Sequence, residues 1–469
     1  MVVAARAALV AVALSALGCH VDDRRGLTLQ IGTANTCVRT SLACGGEVGV
    51  FVVDGVSNQV LDKRCVPFAA DDALALDKLP SLLAADMPPM PDLTPGSSIA
   101  VEVAAYSPAT GMGCPRFLPD VAGNPAVPSY FGRSTTAKVG AAASIGVTLQ
   151  CLPSACLPCT KRASPDGVDP PDGGTADAGV TTPFKTAARL VASLTAGQTG
   201  CLEDGTYVEN VTFAKGGTNA NPVTLTAAPG AHAVLKGVLT IPYTAGFIAI
   251  ANLALEGPDT IATPPGMPAP VKPATPLVRG DHVALRGDDI TNPNADCVML
   301  GDPKYGTAKL TVIDGSRIHG CRAGVVGRIA DSALVTSSFI FDNTGDGVAL
   351  TPNATTFTIE HDVIDGNASG VLFGSDGTLV SSNDVVRTSI ISNSLAGYNV
   401  YSSFPGAPGT GNSAAQNCLW MGAKGDVATP MRGFSAKNNV TADPMFVDRA
   451  GKNFGLLPGS PCVGLGPLR

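Results

Sequence analysis

The chain has 469 residues, 45% of them hydrophobic and only 15% charged, with a formal net charge of −7. That length calls for more than one domain, and so apolar a composition excludes a chain disordered throughout. The negative balance argues against a general nucleic-acid binder.

The chain opens with "MVVAARAALVAVALSALGCHVDD": one Arg, an apolar run from Ala7 to Leu17, then Gly18-Cys19. This reads as a signal peptide over residues 1–18, too short for an ordinary membrane span. "SALGC" resembles a bacterial lipobox, which implies acylation at Cys19. It departs from the common pattern because Leu17 stands two residues before the Cys instead of three, and Ala16-x-Gly18 also suits ordinary signal cleavage. His20, rather than Asp, after the Cys resembles sequences sent on to an outer membrane. The expectation is an exported cell-envelope lipoprotein of a Gram-negative bacterium, touching the membrane through its lipid alone, with simple secretion as the alternative.

Removing Cys19 from the 13 cysteines leaves an even number for an oxidising compartment. Cys37, Cys44, Cys65, Cys114, Cys151, Cys156 and Cys159 precede a Pro/Gly/Asp-rich stretch, and Cys201, Cys297, Cys321, Cys418 and Cys462 follow it. Both counts are odd, so either one bridge joins the halves or each half keeps a free thiol. "CLPSACLPC" lacks the matching second pair of a zinc site. Residues 26–160 contain the alternating runs "LTLQIG", "VGVFVVDG", "SIAVEVAAYS" and "SIGVTLQC", which predict a small disulfide-stapled β-sandwich. Residues 161–183, centred on "SPDGVDPPDGGTADAG", read as a linker; their aspartates lack the spacing of a calcium loop.

Residues 184–469 are expected to form a second domain. "TAARLVASL" sets Ala187, Leu190, Val191 and Leu194 on one helical face, as a cap over an exposed core requires. Farther on, a Gly before an apolar residue recurs at Gly324, Gly347, Gly370 and Gly397, at intervals of 23, 23 and 27. Ile318, Phe341, Ile364 and Ile391 stand six positions before these marks, and Val325, Val348, Val371 and Tyr398 one after. The short β-branched runs between turns leave no room for helices, so the period predicts coils of a parallel β-helix stacked about 4.8 Å apart. Like positions then form columns, with Val325, Val348 and Val371 buried together and Asn343 and Asn393 at a turn suited to an amide ladder.

"LEDGTYVENVTF" followed by "NPVTLTAAPGAHAVLKG" resembles the opening coils of right-handed β-helix proteins of the pectate-lyase-like superfamily, the chondroitinase B and alginate lyase group above all. "ADPMFVDRAGKNFGLLPGSPCVGLG" resembles the closing segment of such bacterial proteins. The resemblance spans about residues 184–466. It implies an all-β protein, a right-handed parallel β-helix solenoid behind the sandwich.

Three constellations are candidates for chemistry on that scaffold. The column five before each mark holds His319, Asp342, Asp365 and Ser392. On adjacent coils Asp342 and Asp365 would suit a glycosidase carboxylate pair or calcium, the one cofactor considered. "NADCVML" resembles the pectin-hydrolase Asp-Asp-Cys strand, with Asp296 as the surviving acid and His319 in "IHG" beyond it; Ala295 replaces the first Asp and no Arg-x-Lys pair follows. Lys304, Lys309, Arg317, Arg322 and Arg328 make a basic coil, suited to neutralising a uronate carboxylate or binding an anion, although the Lys-Ser strand of the chondroitinase B group is missing. The candidate catalytic residues are therefore Asp296, His319, Asp342 and Asp365, and the candidate binding residues Arg317, Arg322 and Arg328. The leading expectation is a carbohydrate- or surface-binding face for an acidic polysaccharide or cell-surface glycan, without catalysis. A polysaccharide lyase or glycoside hydrolase is the alternative, and a structural spacer the third.

Overall fold

A computed structural model describes residues 28–33, 41–42, 46–68, 74–75, 96–106, 114–118, 128, 130–139, 144–151, 159–170, 182–219, 221–228, 231–259 and 272–467. Residues 1–18, expected to be a signal peptide, and Cys19 lie outside them.

In the N-terminal part, strands Thr28–Thr33, Ser144–Cys151, Tyr130–Arg133, Ser98–Tyr106, Gly46–Asp54 and Val60–Phe68 lie side by side in that order, and Ala137–Lys138 also pairs with Ser98–Tyr106. Ser41–Leu42 and Leu74–Ala75 form a separate two-stranded sheet; a second full layer of a sandwich is not among the described residues. Glu102, almost completely buried, is held by Arg116 at 2.7 Å and Arg133 at 2.8 Å. The Cys65–Cys114 disulfide staples this region. It also uses the two thiols of the sole metal-like cluster among the described residues, Glu47, Cys65 and Cys114.

The remainder is a solenoid of three parallel sheets. Sheet 1 runs from Lys161–Ala163 to Phe434–Lys437, sheet 2 from Gly205–Val208 to Val440–Thr441, and sheet 3 from Val211–Thr212 to Gly425–Val427. The coils between the two ends each contribute a strand to each sheet, and alternation turns side chains of these strands inward. The inward columns are fully buried: Ile313, Val335, Ile359 and Val386 in sheet 1; Ile290, Ile318, Ile340, Ile364 and Ile391 in sheet 2; Val298, Val325, Val348, Val371 and Val400 in sheet 3. Each such side chain contributes about 1.5–3 kcal/mol by leaving water. The predicted valine column Val325, Val348 and Val371 is present, whereas Val400 rather than Tyr398 continues it.

The domain boundary differs from the expected one. Lys161–Ala163, assigned to the linker, pairs in parallel with Thr199–Leu202 and opens sheet 1. Asp169, expected to be solvated, accepts hydrogen bonds from Lys185 N and Thr186 Oγ1 at 2.9 and 2.7 Å. Cys159 is bonded to Cys201, so a bridge does join cysteines on either side of the linker. Helix Ala187–Ser193 caps the first coil with Ala187, Leu190, Val191 and, just past its end, Leu194 buried. Glu209 of the first coil accepts the N–H groups of Ala187 and Ala188, meeting the unsatisfied donors of the helix start with negative charge.

Turns between sheets 1 and 2 carry a polar ladder that crosses the coils. The backbone N–H of Leu253 donates to Asp288, Asp288 to Ser316, Ser316 to Ser338, Ser338 to Asp362, Asp362 to Ser389, Ser389 to Asn417 and Asn417 to Asn439. Each side-chain oxygen thus satisfies a buried donor that the turn removes from the sheets. Asp384 does the same for Phe357 N in the turn that enters sheet 1, with Asn412 below it. Burial pushes Asp288 up to about 7 and Asp384 up to about 8, and raises Asp362 well above the ordinary carboxyl range.

Candidate functional site on the third sheet

The register corrects the predicted polar column. His319 pairs with Phe341, Phe341 with Asp365 and Asp365 with Ser392, so Asp342 is not in the column. Equal 23-residue intervals conceal compensating lengths: Ile318 to Ile340 is 22 residues and Ile340 to Ile364 is 24. The extra residue lies in the turn Asn343–Val348. Asp342 begins that turn in the left-handed conformation (φ 53°), the place taken by Gly366 on the next coil. The amide ladder likewise joins Asn343 to Asn367 at 2.8 Å, while Asn393 donates to Asp365.

Of these residues Asp365 and Ser392 are buried, His319 is partly buried and Asp342 is exposed. The outer face of sheet 2, Phe339, Phe341, Val363 and Ile390, is covered by Phe446, Phe454 and Leu456 of the C-terminal segment, and Cys418–Cys462 ties that segment down. Asp365 is fully buried there and accepts from Ser392 Oγ, Asn393 Nδ2 and Arg449 Nε at 2.7–2.8 Å. Asp342 pairs with Lys452 at 2.6 Å. Arg449 and Lys452 thus already match the charges of the two carboxylates. His319 Nε2 meets Asp289 Oδ1 at 2.8 Å and its ring stacks on Phe341 at 4.7 Å. Arg317 binds the other oxygen of Asp289 at 3.1 Å. Burial pushes the Asp289 carboxyl up, but the His319 hydrogen bond and the Arg317 charge outweigh it and leave its pKa lowered.

The expected arginine patch is therefore divided. Arg317 stands on sheet 2 and Arg322 in the turn before sheet 3. There Arg322 grips Asp296 through Nε and Nη2 at 2.8 and 2.6 Å. Arg328 is exposed within strand Val325–Asp331 of sheet 3. Asp296 and His319, the residues resembling the pectin-hydrolase pair, bind different partners and do not meet.

Sheet 3 has the longest strands of the solenoid, Val325–Asp331 and Asp346–Thr355. Its outward column runs Leu277, Met299, Val326, Ala349, Leu372 and Tyr401. Along the edge toward sheet 2 lie Asp296, Arg322, Asp346 and Ser369. Along the opposite edge follow Arg279, Lys304 and Arg328, with the Arg279 guanidinium 3.9 Å from the centre of the Tyr305 ring.

The Tyr401 hydroxyl donates to Asp346 Oδ1 at 2.7 Å across 55 residues of sequence. Burial raises the pKa of Asp346, the nearby Asp296 charge adds to this, and hydrogen bonds from Tyr401 and Ser369 work against it. A carboxyl whose pKa is raised by burial, at the edge of an outer apolar strip, is a candidate proton donor to a bound molecule. Neither Asp346 nor Tyr401 was a sequence candidate. Asp346 stands one residue before the Gly mark, and its partner two coils away has no local signature.

Residues 278–424 match the family model described as "Right handed beta helix region". The solenoid of three parallel sheets is thus a right-handed parallel β-helix. Similar solved structures include pectate lyase Pel9A, 13% identical over 66% of this chain and 92% of that one, TM-score 0.38. An alginate lyase from Paenibacillus sp. is 14% identical over 52% and 93%, TM-score 0.34. A rhamnogalacturonan lyase is 11% identical over 65% and 99%, TM-score 0.30. No curated protein sequence matches the chain.

Proposed function

We propose that the protein cleaves an acidic polysaccharide laid across the outer face of sheet 3. The observation that carries this reading is the Asp346–Tyr401 pair, a raised-pKa carboxyl held at the edge of the outward apolar column of sheet 3. Sugar faces rest on the strip from Met299 to Tyr401. The acidic groups of the chain lie toward Arg279, Lys304 and Arg328. Asp346 gives its proton to the glycosidic oxygen as the bond to the anomeric carbon breaks. Water adds at that carbon and passes its proton to the Asp296 carboxylate, which Arg322 holds in place. The two carboxyl groups thus take the acid and base parts of a glycoside hydrolysis.

The test is incubation with polygalacturonate, alginate, a sulfated glycan and a neutral glucan, scoring reducing ends and unsaturated ends separately. New reducing ends on an acidic polymer, lost in Asp346→Asn, support the proposal. Unsaturated ends would replace hydrolysis by β-elimination. A second reading, a binding face without turnover, is favoured by the Asp296–Arg322 pair, because a carboxylate matched by a guanidinium is a weaker base for water. Retention of acidic polymer with no new ends of either kind would establish that reading in place of the first.

The same proposal places the protein outside the cytoplasm, held by acylated Cys19. Cys19→Ser should release it from membranes, and an unmodified Cys19 in the mature chain by mass spectrometry would favour secretion.

A further inference from the structure

A separate hollow lies at the start of the solenoid, where the turns of three successive coils lead from sheet 3 back to sheet 1. It has a volume of about 480 Å³ and is lined by residues that include Lys215, Gly216, Tyr243, Gly246, Phe247 and Asp281. Its floor is bare backbone. A Cβ on Gly216 would lie 1.9 Å from Gly246 O, and one on Gly246 would lie 2.7 Å from Asp281 O, so the three turns pack too closely for a side chain at either glycine. Gly217 N donates to Gly246 O and Phe247 N to Asp281 O, which fixes the spacing of the three turns.

The walls are aromatic on one side and charged on the other. Tyr243 is 65% exposed, a large cost in unburied ring surface for a residue with no packing duty. Phe247 is backed by His282, the ring centres 4.3 Å apart. Lys215 is exposed at the rim. One oxygen of Asp281 receives Lys309 N at 3.2 Å, which orients the carboxylate.

An apolar ring face, an ammonium and an oriented carboxylate around a backbone floor match a small amphipathic molecule with one flat apolar side, hydroxyl groups and a negative charge. We propose that this hollow is a binding site for a single acidic sugar unit. The pyranose ring lies on Tyr243, its carboxylate meets Lys215, and its hydroxyls donate to Asp281. The site shares no residue with the sheet 3 face and stands without the reading given to that face.

The probe is free glucuronate, titrated into the full chain by calorimetry, with glucose as the neutral comparison. Saturable binding of glucuronate that exceeds glucose and weakens with added salt is expected. Tyr243→Ala should weaken it about ten-fold, the size of one ring contact, and Lys215→Ala should remove the preference over glucose. Both residues are exposed, so these variants should melt like the parent chain. Asp346→Asn should bind glucuronate as the parent does, whatever it does to polymer cleavage. No saturable binding, unchanged binding in both Tyr243→Ala and Lys215→Ala, or loss of binding in Asp346→Asn would each overturn the proposal.

Discussion

The outer faces of sheets 2 and 3 carry similar residues to different ends. Each sets carboxylates near arginines on neighbouring coils, and each has an apolar strip along the helix axis. On sheet 2 the strip is covered by residues 443–467, and the carboxylates Asp342 and Asp365 are held by Lys452 and Arg449. On sheet 3 the strip is partly buried, with Val326 and Ala349 9% and 5% exposed, and Asp346 is held by neutral hydroxyls with its pKa raised by burial. Residue type and coil spacing are alike in the two faces. What separates Asp342 and Asp365 from Asp346 is the cation that residues 443–467 bring to the first two.

The contrast is broken most severely at Arg449. Arg449→Ala leaves Asp365 buried with hydrogen bonds from Ser392 and Asn393 but without its cation, which should cost about 3–5 kcal/mol. Denaturant unfolding should register that loss, and Asp365→Asn in the same chain should recover most of it. Phe454→Ala removes the ring packed on Phe339 and Phe341 and should cost about 3 kcal/mol. Neither change touches sheet 3, so polymer cleavage by the folded fraction should be retained. Asp346→Asn should show the reverse, with unfolding shifted little and cleavage lost. If Arg449→Ala abolished cleavage at unchanged stability, sheet 2 would be the active face.

The buried acids of the turn ladders give a pH dependence of stability. The folded pKa values of Asp288 and Asp384, about 7 and about 8, lie above those of the unfolded chain. In the unfolded chain these groups lose their protons near pH 4, while in the fold they keep them until pH 7–8. Their contribution is therefore complete below about pH 4 and is lost progressively as pH rises to 8. Asp384→Asn, which repeats the chemistry of Asn412 on the next coil, should raise the thermal midpoint at pH 8 and change it little at pH 4. Cleavage should fall on the alkaline side as Asp346, also raised, loses its proton.

How much of this was legible follows from the kind of signal each feature leaves. Val325, Val348 and Val371 were readable because the core demands an aliphatic at every return of the coil. The Asp342/Asp365 column was misread because the Gly marks lie in sheet 3, while the acids lie beyond a turn whose length varies by one residue. The ladder from Asp288 to Asn439 leaves no single-letter repeat, since Asp, Ser and Asn oxygens accept the same N–H equally well. The Asp346–Tyr401 bond and the cover over sheet 2 depend on residues 55 and more than 80 positions apart. No local pattern encodes either.

The smallest expected effect belongs to the other strap contact. Lys452 and Asp342 meet at 2.6 Å, but their side chains are 26% and 45% exposed, against 0% for Asp365. Water screens such a pair, and holding a long lysine in place costs rotamer freedom, so it should be worth about 0–1 kcal/mol. The Lys452 ammonium also lies 5.4 Å from the centre of the Phe341 ring, which belongs to the covered strip. Lys452→Ala should therefore lower stability by no more than about 1 kcal/mol, with the loss shrinking further in high salt. A loss as large as that of Arg449→Ala would mean that charge pairing at the rim, rather than burial of Asp365 and the phenylalanines, holds the segment on sheet 2.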